Sequence, residues 1–195
     1  MHVTIVASQT TSDSTLFSVV PDTAEVASVR QHWPTEDDCA HDARTLAHEL
    51  APRLAQGAAV LIELRGTLGA GKTTFTRHLL RALGVQGRIK SPSYAVVEPY
   101  DPDGLPVWHF DFYRFADPRE WEDAGFRDIF AAPGLKVVEW PDKAAGLLPP
   151  ADLLMDIDTD AQGGRQVALR TRTAQGASLL ATLQVSAQPS TGGSA

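Results

Sequence analysis

The sequence predicts an α/β fold, a three-layer sandwich whose central sheet is mainly parallel and which carries a β-hairpin near its C-terminal end. Three observations predict it. A helical stretch, an apolar strand, a glycine-rich loop and a second amphipathic helix follow one another between residues 35 and 83, the order expected where helices cover a parallel sheet. The strand of that unit, residues 59–65, is apolar almost throughout, as strands covered on both faces are. Two further segments, residues 151–158 and 165–171, flank the turn Gln162-Gly-Gly164, which reads as a hairpin.

Taken in order, residues 1–34 are rich in Ser, Thr and Val and carry only Asp13, Asp22, Glu25 and Arg30 as charges. They are set apart as an N-terminal extension without an assigned role, with apolar stretches short enough for one or two peripheral strands. Thr35-Glu-Asp-Asp38 is a helix start, a hydroxyl followed by acids that suit the positive end of the helix dipole. Leu46, Leu50 and Leu54 give that helix one apolar stripe. Pro52 predicts a kink or break in it, and Gly57 ends it. A second helix is expected over residues 73–83, with Phe75, Leu79, Leu80 and Leu83 on one side. Residues 90–97, 105–113 and 135–141 read as three strands, with a helix around residues 117–125 between the second and third. A short helix over residues 177–185 closes the domain. The last residues, 186–195, hold no apolar cluster to offset ordering entropy and are expected to be a disordered tail. The division is therefore extension 1–34, domain 35–185 and tail 186–195.

A chain of 195 residues corresponds to one domain, and at this size about 70% of the extended surface can be buried. The formal charge of −7 disfavours a stand-alone nucleic-acid binder, which gains most of its affinity by neutralising phosphates. That charge is unevenly spread. Residues 60–90 hold six basic side chains against Glu63 alone, whereas residues 101–130 hold eight acids against three arginines. Cys39 is the single cysteine, which permits no internal disulfide and fits a reducing compartment. There is no apolar run of membrane-spanning length and no signal-peptide pattern at the start, so a cytoplasmic location without membrane contact is expected.

The chemistry concentrates in Gly66-Thr-Leu-Gly-Ala-Gly-Lys-Thr73, which satisfies the phosphate-loop pattern G-x-x-x-x-G-K-[ST] between a strand and a helix. Gly66, Gly69 and Gly71 let backbone N–H groups turn toward an anion without a Cβ in the way. The helix beginning at Thr73 adds its dipole there. Lys72 supplies a point charge for the β and γ phosphates of a nucleotide, and the Thr73 hydroxyl can ligate Mg²⁺. Such sites also need carboxylates at strand ends, and two are available: Asp111, closing Val-Trp-His-Phe-Asp, and Glu139, closing Lys-Val-Val-Glu. His109 shares a strand face with Asp111; a satisfied core histidine is the default for it. Trp140 either covers the nucleotide or packs. The guanine-reading N-K-x-D pattern is absent, which favours ATP over GTP. These features make the fold P-loop NTPase-like.

Further motifs accompany the loop in order: Lys90-Ser-Pro-Ser-Tyr-Ala-Val-Val-Glu-Pro-Tyr100, His109-Phe-Asp-Phe-Tyr-Arg114, Gly125-Phe-Arg-Asp-Ile-Phe130 and Val138-Glu-Trp-Pro141. Together they closely resemble the bacterial TsaE (YjeE) family, over roughly residues 35–173. The resemblance implies an ATP-binding and ATP-hydrolysing subunit, weak alone, that sustains turnover of TsaD and TsaB as these place threonylcarbamoyl on the adenosine beside the anticodon of tRNA. The transfer itself would belong to TsaD, and tRNA would be contacted mainly through the complex. Carried over by position, Gly69, Ala70, Gly71, Lys72, Thr73 and Thr74 would wrap the phosphates, with Thr73 and Glu139 as the metal-site residues. Lys72, Asp111 and Glu139 would be the catalytic set. Ser93 would belong to a switch-like loop, Trp140 would adjoin the metal acid, and Arg165 would approach the nucleotide from the C-terminal hairpin. Thr67 stands where the family commonly has an acid, and Thr35 or Glu36 are candidates for the adenine side. Two other readings stay open on the phosphate loop: a small-molecule kinase, with Arg114, Arg119 and Arg127 as lid residues, and a nucleotide-gated binding module that needs no hydrolysis.

Overall fold

The computed structural model describes residues 27–115, 121 and 125–186. Seven strands form one sheet: β1 Ala27–Trp33, β2 Ala59–Arg65, β3 Val97–Tyr100, β4 Val107–Asp111, β5 Gly134–Glu139, β6 Leu153–Thr159 and β7 Arg165–Thr171. Among the described residues four α-helices accompany them: α1 Glu36–Ala55, α2 Lys72–Ala82, α3 Phe126–Ala131 and α4 Ala174–Ser186. The strand order is β1-β7-β6-β2-β5-β4-β3. The central four strands, β6, β2, β5 and β4, run parallel, and antiparallel pairs finish both sides. The expected sandwich and its C-terminal hairpin, β6–β7, are both present.

Alternation along the central strands divides the interior into two cores. Val60, Ile62 and Leu64 of β2 join Leu46 and Leu50 of α1, Phe75 and Leu79 of α2, and Leu179 and Leu183 of α4 on one face. Leu61 points the other way, into an aromatic core of Phe110, Phe112, Phe126, Phe130 and Trp121. Phe110 lies edge-on to Phe126, with ring centroids 5.3 Å apart. The side chains of β4 and β5 obey the same alternation, so Asp111 and Glu139 emerge on the face that carries α2. Register does the rest, because Asp111 and Glu139 are paired across β4 and β5.

Several expectations need correction. The boundary before residue 35 moves, because β1 lies ahead of it and pairs along its whole length with β7. Its last residue, Trp33, stacks on Phe75 of α2 at 5.8 Å and 8° and donates its indole N–H to Asp42 at 2.6 Å. The peripheral strand suggested for the extension is thus an edge strand fixed to the first core. Helix α1 runs through Pro52 to Ala55 without a break; the proline falls in the last turn, where few helical bonds remain to be lost. The strand expected over residues 90–97 begins only at Val97, and the preceding residues form a loop. Helix α3 was not foreseen. The helix expected around residues 117–125 falls mostly outside the described residues, as does the tail beyond residue 186.

Candidate functional site

The phosphate loop is shaped by residues that only glycine can replace cheaply. Gly66 has φ +136, and a Cβ there would lie 2.2 Å from the carbonyl oxygen of Ile157 in β6. Gly71, at φ +116, is the residue from which α2 starts. Between them the chain turns back over the end of β2, so Lys72 is buried at 4% exposure. Its ammonium donates to the carbonyl oxygens of Gly66 at 2.8 Å and Thr67 at 2.9 Å, and lies 4.0 Å from the centre of the Trp140 ring. Trp140 reaches that position from a left-handed backbone conformation, φ +60. Burial holds the Lys72 ammonium below the usual lysine range, opposed by the charges of Glu139 and Asp111.

The two carboxylates are held differently. Glu139 is buried, with one oxygen accepting from Thr73 Oγ1 at 3.0 Å and the other in contact with His109 Nε2 at 2.9 Å. Asp111 accepts from the Ser91 hydroxyl and, through Oδ1, from the backbone N–H of Tyr113 at 2.9 Å. Ser91 opens the loop that leads to β3. That loop ends on Val96, a β-branched residue at φ +66, a conformation that costs about 1–3 kcal/mol. Bonds on both sides hold it there: Val96 N–H to the Pro92 carbonyl at 2.6 Å, and Asp111 N–H to the Val96 carbonyl at 2.9 Å.

Lys72, Thr73, Ser91, Asp111, Glu139 and Trp140 line a cavity of about 400 Å³ together with Leu68, Gly69, Gly71, Thr74, Ser93, Tyr113 and Arg114. A second cavity of about 200 Å³ lies beside it, lined by Trp33, Thr35, Glu36, Cys39, Gly71, Thr74, Gly163 and Arg165. Gly71 and Thr74 line both.

Of the residues singled out from sequence, Gly69, Gly71, Lys72, Thr73, Thr74, Ser93, Asp111, Glu139 and Trp140 meet at the first cavity. Ala70 is buried instead, and its carbonyl accepts from Arg165 Nε at 2.6 Å. Arg165 opens on the second cavity and braces the loop. Its position is set by the hairpin turn, where Asp160 Oδ1 accepts from the N–H groups of Gln162 and Gly164, both at 2.9 Å. Sequence reasoning passed over Ser91 in favour of Ser93, and left out Trp33, Cys39 and Tyr113. A hydroxyl in an aperiodic loop, or a single thiol on a helix, carries no local signal; the one hint was Ser91 beside Pro92 in the loop motif.

The oxygen donors at the first cavity suit a hard cation. Among the described residues, no group of three or more His, Cys, Asp or Glu side chains could hold a metal ion alone. Thr73 Oγ1 and Glu139 Oε2, 3.0 Å apart at this cavity, are the oxygens that could hold such a cation. Among the described residues no helix is long and apolar enough to cross a membrane.

Comparison with known proteins agrees with this geometry. A family model described as "Threonylcarbamoyl adenosine biosynthesis protein TsaE" matches residues 38–167. The tRNA threonylcarbamoyladenosine biosynthesis protein TsaE of Haemophilus influenzae is 43% identical over 131 residues, 67% of this chain and 82% of the relative. The protein of the same name from Aquifex aeolicus is 35% identical over 130 residues, 66% of this chain and 88% of the relative. In fold, the crystal structure of Bacillus subtilis YdiB superposes with a TM-score of 0.69 at 22% identity, covering 85% of this chain and all of that one. With the family model spanning the phosphate loop, both strand-end carboxylates and the hairpin arginine, the chain belongs to the TsaE family of threonylcarbamoyladenosine biosynthesis proteins.

Proposed function

We propose that the chain is a Mg²⁺-dependent ATPase subunit which, with TsaD- and TsaB-type partners, sustains turnover of tRNA threonylcarbamoyladenosine modification without itself transferring the threonylcarbamoyl group. The observation that carries this reading is the convergence of Lys72, Thr73, Asp111 and Glu139 on one cavity at the start of α2. Phosphates enter between the loop N–H groups and Lys72, whose ammonium exchanges the Gly66 and Thr67 carbonyls for phosphate oxygens. Thr73 and Glu139 would hold the Mg²⁺, which would supply charge neutralisation to the phosphates. Asp111 stands at the same level on the neighbouring strand, placed to orient the attacking water. The second cavity, floored by Trp33, Thr35 and Cys39, takes the adenine end. The negative net charge leaves tRNA to the partner subunits.

The test is reconstitution. Wild-type chain added to a TsaD–TsaB pair should support many rounds of tRNA modification, and Lys72→Ala should hold the yield near one round per complex. Equal yields would overturn the role given to ATP. A gate that needs binding but no hydrolysis is the second reading, favoured by the Ser91–Asp111 bond and the strained Val96. A non-hydrolysable ATP analogue would sustain many rounds only under that reading.

A further inference from the structure

We infer that His109 is a positioning residue for the cation site: its imidazole fixes the direction of the Glu139 carboxylate, and through it the hydroxyl of Thr73. This rests on the Mg²⁺–ATP reading above.

His109 is fully buried, at 0% exposure, and its Nε2 lies 2.9 Å from Glu139 Oε1. Glu139 is 2% exposed, and its other oxygen already accepts from Thr73 Oγ1 at 3.0 Å. A carboxylate on two carbons can rotate about its terminal bond. Occupied on one oxygen by a ring that packing holds rigid, it keeps the other turned toward Thr73 and the phosphate cavity. Alternation on β4 accounts for the placement. Asp111 and His109 share a face two residues apart, so the strand that offers one carboxylate to the cavity also supports the carboxylate of its neighbour from deeper in the sheet.

The chemistry also assigns the tautomer. A carboxylate only accepts, so Nε2 carries the hydrogen and donates. Nδ1 is buried with no hydrogen-bond partner among the described residues. The donating hydrogen is therefore on Nε2. A core histidine with a purely structural role would not change the response to Mg²⁺ when replaced.

Three measurements on the full chain decide the matter. In wild type, ATP affinity is titrated calorimetrically with Mg²⁺ and in EDTA; loss of the Mg²⁺ effect there would overturn the underlying reading itself. With that effect present, His109→Leu should raise the Mg²⁺ concentration for half-maximal ATP hydrolysis about tenfold while leaving ATP affinity in EDTA within about twofold, the size expected for removal of an outer support of a metal ligand. His109→Gln, which restores an N–H donor, should recover to within about threefold of wild type. An unchanged Mg²⁺ requirement in His109→Leu would overturn the inference alone. Should that variant fail to fold, spectra of nitrogen-15 histidine-labelled wild type still decide: an Nε2–H proton shifted downfield by a hydrogen bond to a carboxylate supports the assignment, and an Nδ1–H tautomer or an Nε2–H proton without that shift overturns it.

Discussion

Ser91 donates its hydroxyl to the carboxylate of Asp111, and that bond ties the loop before β3 to the floor of the phosphate cavity. A hydrogen bond to a charged group contributes about 1.5–3 kcal/mol. Removing it in Ser91→Ala should free the loop, whose Tyr94 is already 85% exposed. Limited proteolysis within residues 91–96 should then accelerate by about tenfold or more. ATP hydrolysis should fall less in Ser91→Ala than in Asp111→Ala, because the serine variant keeps the carboxylate. Equal cleavage rates for wild type and Ser91→Ala would show that the bond does not hold the loop.

Arg165 braces the phosphate loop from outside by its bond to the Ala70 carbonyl, while its Nη1 donates to the Gly164 carbonyl of its own hairpin turn at 3.0 Å. Arg165→Ala removes the brace and part of the wall of the second cavity. ATP affinity measured by calorimetry should drop about tenfold, while the thermal midpoint shifts by only a few degrees. A large loss of stability with unchanged affinity would make Arg165 a purely structural residue.

Trp33 joins the edge strand to α2. Trp33→Ala would leave a cavity beside Phe75 and strip Asp42, which burial already pushes above the usual aspartate range, of its indole donor. The expected loss is about 3–5 kcal/mol, read from urea denaturation midpoints. A chain shortened to begin at residue 35 should lose at least as much, since the β1–β7 ladder goes with it. A shortened chain as stable as the full one would contradict the anchoring role of β1.

Lys136 titrates within the fold. Its side chain is buried at 1% exposure, with the ammonium donating to the Ala132 and Gly134 carbonyls, and burial pushes its pKa down to about 8. Between about pH 8 and the ordinary lysine value near 10.4, the unfolded chain binds more protons than the folded one at this site, so its contribution to stability rises with pH. Below pH 8 that relief is absent. The gap in unfolding free energy between wild type and Lys136→Met should shift in favour of wild type as pH rises from 8 to 10, by about 2 kcal/mol at 1.36 kcal/mol per pKa unit. A gap independent of pH would show that Lys136 keeps its ordinary ionisation.

What could be read from the sequence follows the range of the forces involved. The phosphate loop and α2 were legible because Gly66 and Gly71 need backbone angles that few other residues adopt, and because Phe75 and Leu79 recur with the helical period. The strand-end acids were legible because β4 and β5 are short apolar runs that each stop at a carboxylate. The role of β1 was not, since its partner β7 lies at the far end of the domain and an edge strand needs no apolar run. Ser91 and Cys39 were missed for a related reason: their importance arises from contacts across the fold. His109 looked like an ordinary buried residue. It is buried, and what sets it apart is the neighbour that strand pairing brings within reach.

Gly71 and Thr74 line both cavities, so a molecule long enough to fill the two must cross at that shared threshold. Its second end then binds as though already present at high local concentration, on the order of millimolar for a short tether. Two fragments offered separately, one polyanionic and one flat and apolar, lack that advantage and compete with bulk water at each end. Selectivity for an intact ligand over its cleaved halves is thereby built into the spacing of the two hollows.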